Sequence, residues 1–174
     1  MSKSFNWNGL GKHLFRRINS MDCIGGFLCP DAYNLAKPVG IIENKKMILD
    51  AHGLLKPDQM EVNGIDCRLL SVFCTSLSDE YEGFIVVYDY EKFCADPELM
   101  EAIIWHEIGH LINPVNLDSV DIDAEIACDK MAYDNAGVNG IVTLLNKTIE
   151  LGKQLGNTLL IEISNKRLSA ILNL

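Results

Sequence analysis

The sequence predicts an α+β fold, on three observations. β-branched and aromatic runs fill its first half, four helix patterns with recognisable end signals fill its second, and no Gly-, Pro- or Ser-rich linker divides the two. A chain of 174 residues has the length of one domain. We therefore read residues 1–174 as one domain. Residues 1–82 form an N-terminal half with strands and no assigned role, and residues 83–174 a half in which one strand leads into helices. At 48% hydrophobic residues the chain can fill a core, which excludes a disordered or low-complexity protein.

The elements follow in order. Leu10, Leu14, Phe15 and Ile18 recur at helical spacing and predict a short helix docked on the domain. Residues 23–38 are rich in Gly, Pro, Asp and Asn and read as loop. Residues 39–43 and 47–50, on either side of Asn44-Lys45-Lys46, read as a hairpin. Asn63-Gly64 is a turn signal that opens a strand over 65–74. After a polar stretch, residues 83–88 form the clearest strand pattern in the chain. Asp96-Pro97 is a cap followed by proline at the first helical position, with Glu98 and Glu101 near the positive end of the dipole. That helix should run over 97–112 and stop before Pro114. Three more should cover 121–136, 139–155 and 158–172, the first ending at Gly137 and the second at Gly156.

Inside the best-capped helix lies His106-Glu107-Ile108-Gly109-His110, an H-E-x-x-H motif. A spacing of four puts both imidazoles on one helix face, one turn apart, so both can bind one metal ion. Glu107 then sits beside the metal, where its carboxylate can take a proton from a metal-bound water. The competing reading is two histidines hydrogen-bonded or exposed on a helix flank. Ile103, Ile104, Trp105, Ile108 and Leu111 would bury much of this helix, and buried polar groups without partners are costly.

A catalytic zinc needs three protein ligands and an open position. The metzincin extension would place Gly at 113 and His at 116; both are asparagine here, so that class is excluded. His13 and His52 have no motif around them and read as surface or core residues. Downstream, Glu125 and Asp129 stand four apart on the next predicted helix. One carboxylate can bind the metal while the other accepts the N–H of a ligating histidine. The alternative is two ordinary solvated acids in an acidic chain.

These motifs resemble the gluzincins, zinc metallopeptidases with H-E-x-x-H plus E-x-x-x-D. Within them the chain is most similar to the family of the type-1 CAAX prenyl protease and the bacterial HtpX-like proteases. The likeness runs from a strand through Glu98-Leu99 to Trp105-His106-Glu107, continues over Glu125 to Asp129, and ends at Arg167-Leu168-Ser169 on a terminal helix. It implies a zincin-like fold: a small mixed or antiparallel sheet, whose edge strand over 83–88 lies beside the zinc helix and binds substrate, followed by a helical half. It implies His106, His110 and Glu125 as Zn2+ ligands, Glu107 as catalytic base, and Asp129 as partner of a ligating histidine. The His-Pro pair expected ahead of the terminal arginine is replaced by Ser164-Asn165, so no role passes to Arg167.

The functional expectation is a zinc-dependent endopeptidase acting on a peptide or protein substrate. The alternative is a non-catalytic or latent metal-binding regulatory protein on the same fold; a thiolate of Cys94 or Cys128 on the zinc would make it latent. Tyr88, Tyr90 and Tyr133 are candidates to stabilise the oxyanion, although tyrosines more often pack. A net charge of −9 weighs against nucleic acid or an anionic membrane surface as partner. No apolar run reaches the length of a membrane span, and six cysteines without a C-x-x-C pair read as reduced thiols. The expected localisation is cytoplasmic.

Overall fold

A computed structural model of the chain describes residues 26–52, 64–75, 79–114 and 120–174. The expected helix at Leu10–Ile18, His13 and Asn63 lie outside them. The architecture is α+β: a four-stranded sheet built before residue 88 and a set of helices after it. The sheet comprises β1 (Phe27–Leu28), β2 (Val39–Glu43), β3 (Ser71–Thr75) and β4 (Gly83–Val87), in spatial order β1-β2-β4-β3. It is mixed. β1 pairs antiparallel with β2, β2 parallel with β4, and β3 antiparallel with β4.

This order corrects the expectation that the strand over 83–88, before the helix bearing H-E-x-x-H, is an edge. β4 is paired on both sides, and all five of its residues are buried. The strand beside the helix with no partner on its outer side, among the described residues, is β3. The nearly unbroken apolar run of β4 marks a strand buried on both faces. Ile85 and Val87 pack against one hydrophobic cluster and Phe84 and Val86 against the other, as alternation requires.

Three further sequence readings of the first half are overturned, two of them by capping. Residues 23–38 were expected to be loop, yet those described include β1 and a one-turn helix, α1 (Pro30–Tyr33). The expected hairpin is a strand followed by a helix, α2 (Lys45–Ala51). Asn44 Oδ1 accepts the Met47 N–H at 3.0 Å, so the apparent turn residue starts a helix instead. The expected strand over 65–74 begins only at Ser71, because Asp66 accepts the Arg68 N–H and caps a 3-10 turn at Cys67–Leu69. A short helix, α3 (Tyr90–Cys94), begins on Asp89 and was not foreseen.

The helical half follows its expected order: α4 (Pro97–Gly109), α5 (Ile122–Ala136), α6 (Val138–Leu155) and α7 (Thr158–Leu172). Asp96, Asp121 and Asn157 cap α4, α5 and α7 through their side chains. Helix α6 ends on Gly156 in the left-handed region, φ 64°, which glycine adopts freely. Helix α4 stops three residues before its expected end. The N–H groups of His110, Leu111 and Ile112 reach back only three residues, to Glu107, Ile108 and Gly109 O at 3.1, 3.0 and 3.1 Å, which ends the α pattern in a tight turn.

The sheet lies between α2 on one face and the long helices on the other. Val39, Ile41, Ile85 and Val87 meet Leu99, Ile103, Ile104 and Ile108 of α4. Helix α4 is thus anchored in the core, with its C-terminal turn reaching the end of β3.

Candidate metal centre

Helix α4 places His106 and His110 on one face, and α5 brings Glu125 and Asp129 against them. The close crossing depends on Gly109. A Cβ there would stand 3.0 Å from both Cα and Sγ of Cys128, a tight contact that would push the neighbouring helix back by a few tenths of an ångström. The glycine inside H-E-x-x-H thus lets the two helices that carry the candidate donors meet.

His106, His110 and Glu125 each offer a donor atom, and these atoms lie within 4.8 Å of one another. Nε2 of His106 is 3.4 Å from Glu125 Oε2, and Nε2 of His110 is 3.7 Å from Glu125 Oε1. Two donors on one zinc-sized ion lie at most about 4.2 Å apart, so both distances already meet that limit. The ring nitrogens turned away from the cluster are accounted for. Nδ1 of His106 lies 2.8 Å from Asp129 Oδ1, and a carboxylate can only accept, so Nδ1 donates and Nε2 faces the cluster. Nδ1 of His110 faces Asn113 O and Cys128 Sγ, each at 3.3 Å, and donates to the carbonyl. Asp129 thus stands behind His106 as the acceptor of its Nδ1–H.

Asp129 is wholly buried and is gripped by Arg167 from α7. Nε donates to Oδ2 and Nη2 to Oδ1, both at 2.7 Å, while Nη1 stands 3.4 Å from Glu125 Oε2. Sequence reading assigned Arg167 no role. A signal existed: Ile163, Arg167 and Ile171 share one buried face of α7, and an arginine in such an apolar stripe needs a charged partner. Ser71 was also missed. Its hydroxyl donates to Glu107 Oε1 at 2.6 Å, a link between the sheet edge and the helix that no local pattern announces.

The charges reinforce one another. Burial would lower the pKa of His106, but hydrogen bonds to Asp129 and Glu125 outweigh it and raise the value to about 10. Burial would raise Glu125, but His106 and Arg167 bring it down to about 2. Asp129 falls well below the usual carboxylate range because Arg167 and His106 overcome its burial. The surroundings thus favour positive charge at the His106 imidazole, and a cation bound there competes with a proton for the same nitrogen. Two imidazoles and a carboxylate suit a zinc-type ion on donor chemistry, and the cluster as built can hold a metal ion.

A cleft of about 520 Å³ opens over the cluster, and His106, Glu107, His110, Glu125 and Arg167 all line it. His52 lines it too, its Nε2 3.1 Å from Ser71 O, but it is not one of the clustered donors. Tyr88, Tyr90 and Tyr133 are not among the lining residues. Cys128 meets His110 at Nδ1, away from the shared donors, and burial pushes its thiol up to about 12, as in an unreactive core cysteine. No helix of the described residues is long and apolar enough to cross a membrane. No protein-family model, curated protein or solved structure matches the chain.

Proposed function

We propose that the chain is a zinc-dependent endopeptidase of zincin-like fold, acting in the cytoplasm on peptide or protein substrates. One observation carries the reading. Glu107 lines the cleft beside the donor cluster without belonging to it, and a protein that only bound metal would need no such carboxylate.

His106, His110 and Glu125 would hold the ion, with Asp129 and Arg167 fixing His106. Once bound, zinc supplies a Lewis acid that polarises a carbonyl and lowers the pKa of water towards about 7. Glu107 takes the proton of the attacking water as the new C–O bond forms. It returns that proton to the nitrogen as the C–N bond breaks, leaving an acid and an amine. Ser71 holds Oε1 of Glu107 and leaves Oε2 for the water. The substrate-binding role expected of residues 83–88 passes to β3, the edge strand that lies beside α4.

The test compares wild type with Glu107→Gln in a cell lysate, reading new peptide termini with and without chelator. Glutamine keeps the shape but cannot accept a proton at neutral pH. The variant should keep its zinc and lose about 10²–10⁴-fold in rate. Equal cleavage by both proteins refutes the mechanism, and zinc uptake without cleavage by either favours the regulatory alternative.

A further inference from the structure

We infer that His52, at the end of α2, is a positioning residue for Glu107: it pins the carbonyl of Ser71, and Ser71 in turn holds the Glu107 carboxylate. The inference rests on the peptidase reading and gives the N-terminal half a part in that same reaction.

The first observation is that β4 does not hold the backbone of Ser71. Val87 O is given to Asn44 N on the β2 side, at 3.0 Å. Ser71 stands in register with Val87, so the two form a non-hydrogen-bonded pair. The N–H and C=O of Ser71 therefore point away from β4, as do those of Phe73 and Thr75 opposite Ile85 and Gly83. Ser71 is also the first residue of β3, where a strand is least constrained. Its carbonyl is met instead by Nε2 of His52, 3.1 Å away. A carbonyl only accepts, so Nε2 carries the proton and donates.

The second observation is that His52 is itself anchored. Its N–H continues α2 by donating to Ile48 O at 3.1 Å, and Asn44 caps the other end of the helix. Met47 and Ile48 bury against Phe84 and Val86, on the face of the sheet away from α4. The third observation is what lies beyond Ser71. Side chains alternate along β3, and Ser71 faces the same side as Phe73, which packs on the cluster of α4. Its hydroxyl donates to Glu107 Oε1 at 2.6 Å. Two hydrogen bonds thus run round the edge of the sheet, from a capped helix on one face to the base on the other. His52 and Glu107 both line the cleft. A reacting group has to be held within about 10–20° of its productive direction by supports that are themselves fixed. Ser71 alone, at a strand end whose backbone β4 does not hold, is not such a support; Ser71 pinned by His52 is.

The experiment has one arm that needs no cleavage. On the full, metal-free chain at about pH 8, where an ordinary histidine is neutral, ring-nitrogen NMR shifts of His52 should show the Nε2–H tautomer. The carboxylate carbon signal of Glu107, assigned by its loss in Glu107→Gln, should move in the same direction in Ser71→Ala and in His52→Leu. It should move no further in the double variant than in Ser71→Ala. His52→Gln puts an amide nitrogen about where Nε2 stands and should restore the signal, whereas His52→Asn, one carbon shorter, should not. An Nδ1–H tautomer, a Glu107 signal indifferent to His52, or full additivity with Ser71→Ala each overturns the inference. The second arm uses the zinc-loaded chain and a fluorogenic peptide spanning a site cut in the lysate. His52→Leu should lose about three- to tenfold in kcat, the size of one neutral hydrogen bond, with KM and zinc content unchanged, and His52→Gln should recover it. A loss confined to KM would put His52 on the substrate and overturn the inference. Where the lysate yields no cut site, the peptidase reading falls by itself, and the carboxylate signal still decides whether His52 positions Glu107.

Discussion

The cleft has two walls, and they divide the work unequally. The helical wall, from α4, α5 and α7, supplies every clustered donor and the buried partners behind them, on helices whose turns fix His106 to His110 and Glu125 to Asp129 at spacings of four. The sheet-side wall, from β3 and the 3-10 turn before it, supplies one hydroxyl, a short stretch of free backbone and apolar surface. Chemistry that needs several atoms held together is placed on rigid, capped elements, while the apolar surface of the cleft is shared, with Leu69, Val72 and Phe73 on the sheet side and Ile103, Leu144 and Leu160 on the helices. Each of the following substitutions would break or sharpen that contrast.

The largest effect belongs to Arg167→Met. It leaves the wholly buried Asp129 with a charge and without its bidentate partner. Breaking a buried pair in this way costs about 3–5 kcal/mol, and losing support behind a ligand weakens metal binding about 10–100-fold. Urea denaturation and a competitive zinc titration read the two separately. A variant as stable as wild type would mean the helical wall does not depend on its charges, and the contrast would fail at its centre.

The same contrast explains what could be read from sequence. The helical half was legible because its signals are local: a cap at Asp96, Asp121 or Asn157, a glycine after the last turn, and donors four residues apart. Helix α7 came out with the expected bounds, and α5 and α6 differed by one residue at their starts. The sheet half was misread where a polar side chain chose between a turn and a cap. Asn44 fits both roles, and what decided was the parallel partnership of β2 with β4, a contact between residues more than 40 positions apart; Asp66, read as part of a strand, instead caps a 3-10 turn. Arg167 and Ser71 were missed for a related reason: each meets its partner across a long sequence separation, and neither belongs to a short motif.

A middle-sized effect comes from Gly109→Ala. The added methyl would meet the backbone of Cys128 at 3.0 Å, so the facing helix must give by a few tenths of an ångström. Overpacking of this kind costs about 1–3 kcal/mol, against a gain of up to about 1 kcal/mol in helix propensity. The net result should be a modest loss of stability together with weaker zinc binding, because Glu125 moves away from the histidines. Stability lost with zinc affinity unchanged would show that the cluster tolerates a wider crossing than its geometry suggests.

Ser71→Ala probes the sheet-side wall's one link to the chemistry. It removes the hydroxyl from Glu107 Oε1 without touching a donor. Zinc content should stay at the wild-type level while the cleavage rate falls about tenfold, the size of one hydrogen bond to a charged group, and Ser71→Thr should restore much of it. Loss of zinc in Ser71→Ala would place the strand within the metal site itself and erase the division between the walls.

The smallest effect lies where the two walls are tied together. Asp66 accepts hydrogen bonds from Arg68 Nε and Nη2 at 2.8 and 2.6 Å, and Lys147 Nζ of α6 stands 3.6 Å away. Arg68 also reaches Asp96, the cap of α4, at 3.7 Å. Arg68 holds the Asp66 carboxyl below its ordinary value of 3.8. A carboxyl lowered by folding stabilises the protein above its unfolded pKa, and that contribution fades as pH falls through the lowered folded value. Asp66→Asn keeps an oxygen to cap the turn but loses the charge. It should therefore cost no more than about 1 kcal/mol at pH 7, as expected for a partly exposed ion pair. The gap from wild type should shrink steadily below about pH 4, while zinc content at pH 7 stays unchanged. Denaturation midpoints measured from pH 7 to pH 3 check both parts. A gap that widened towards acid would have the wrong sign for a lowered carboxyl. A gap well above 1 kcal/mol at pH 7 would mean that this small network, more than the apolar core, holds the sheet edge against the helices.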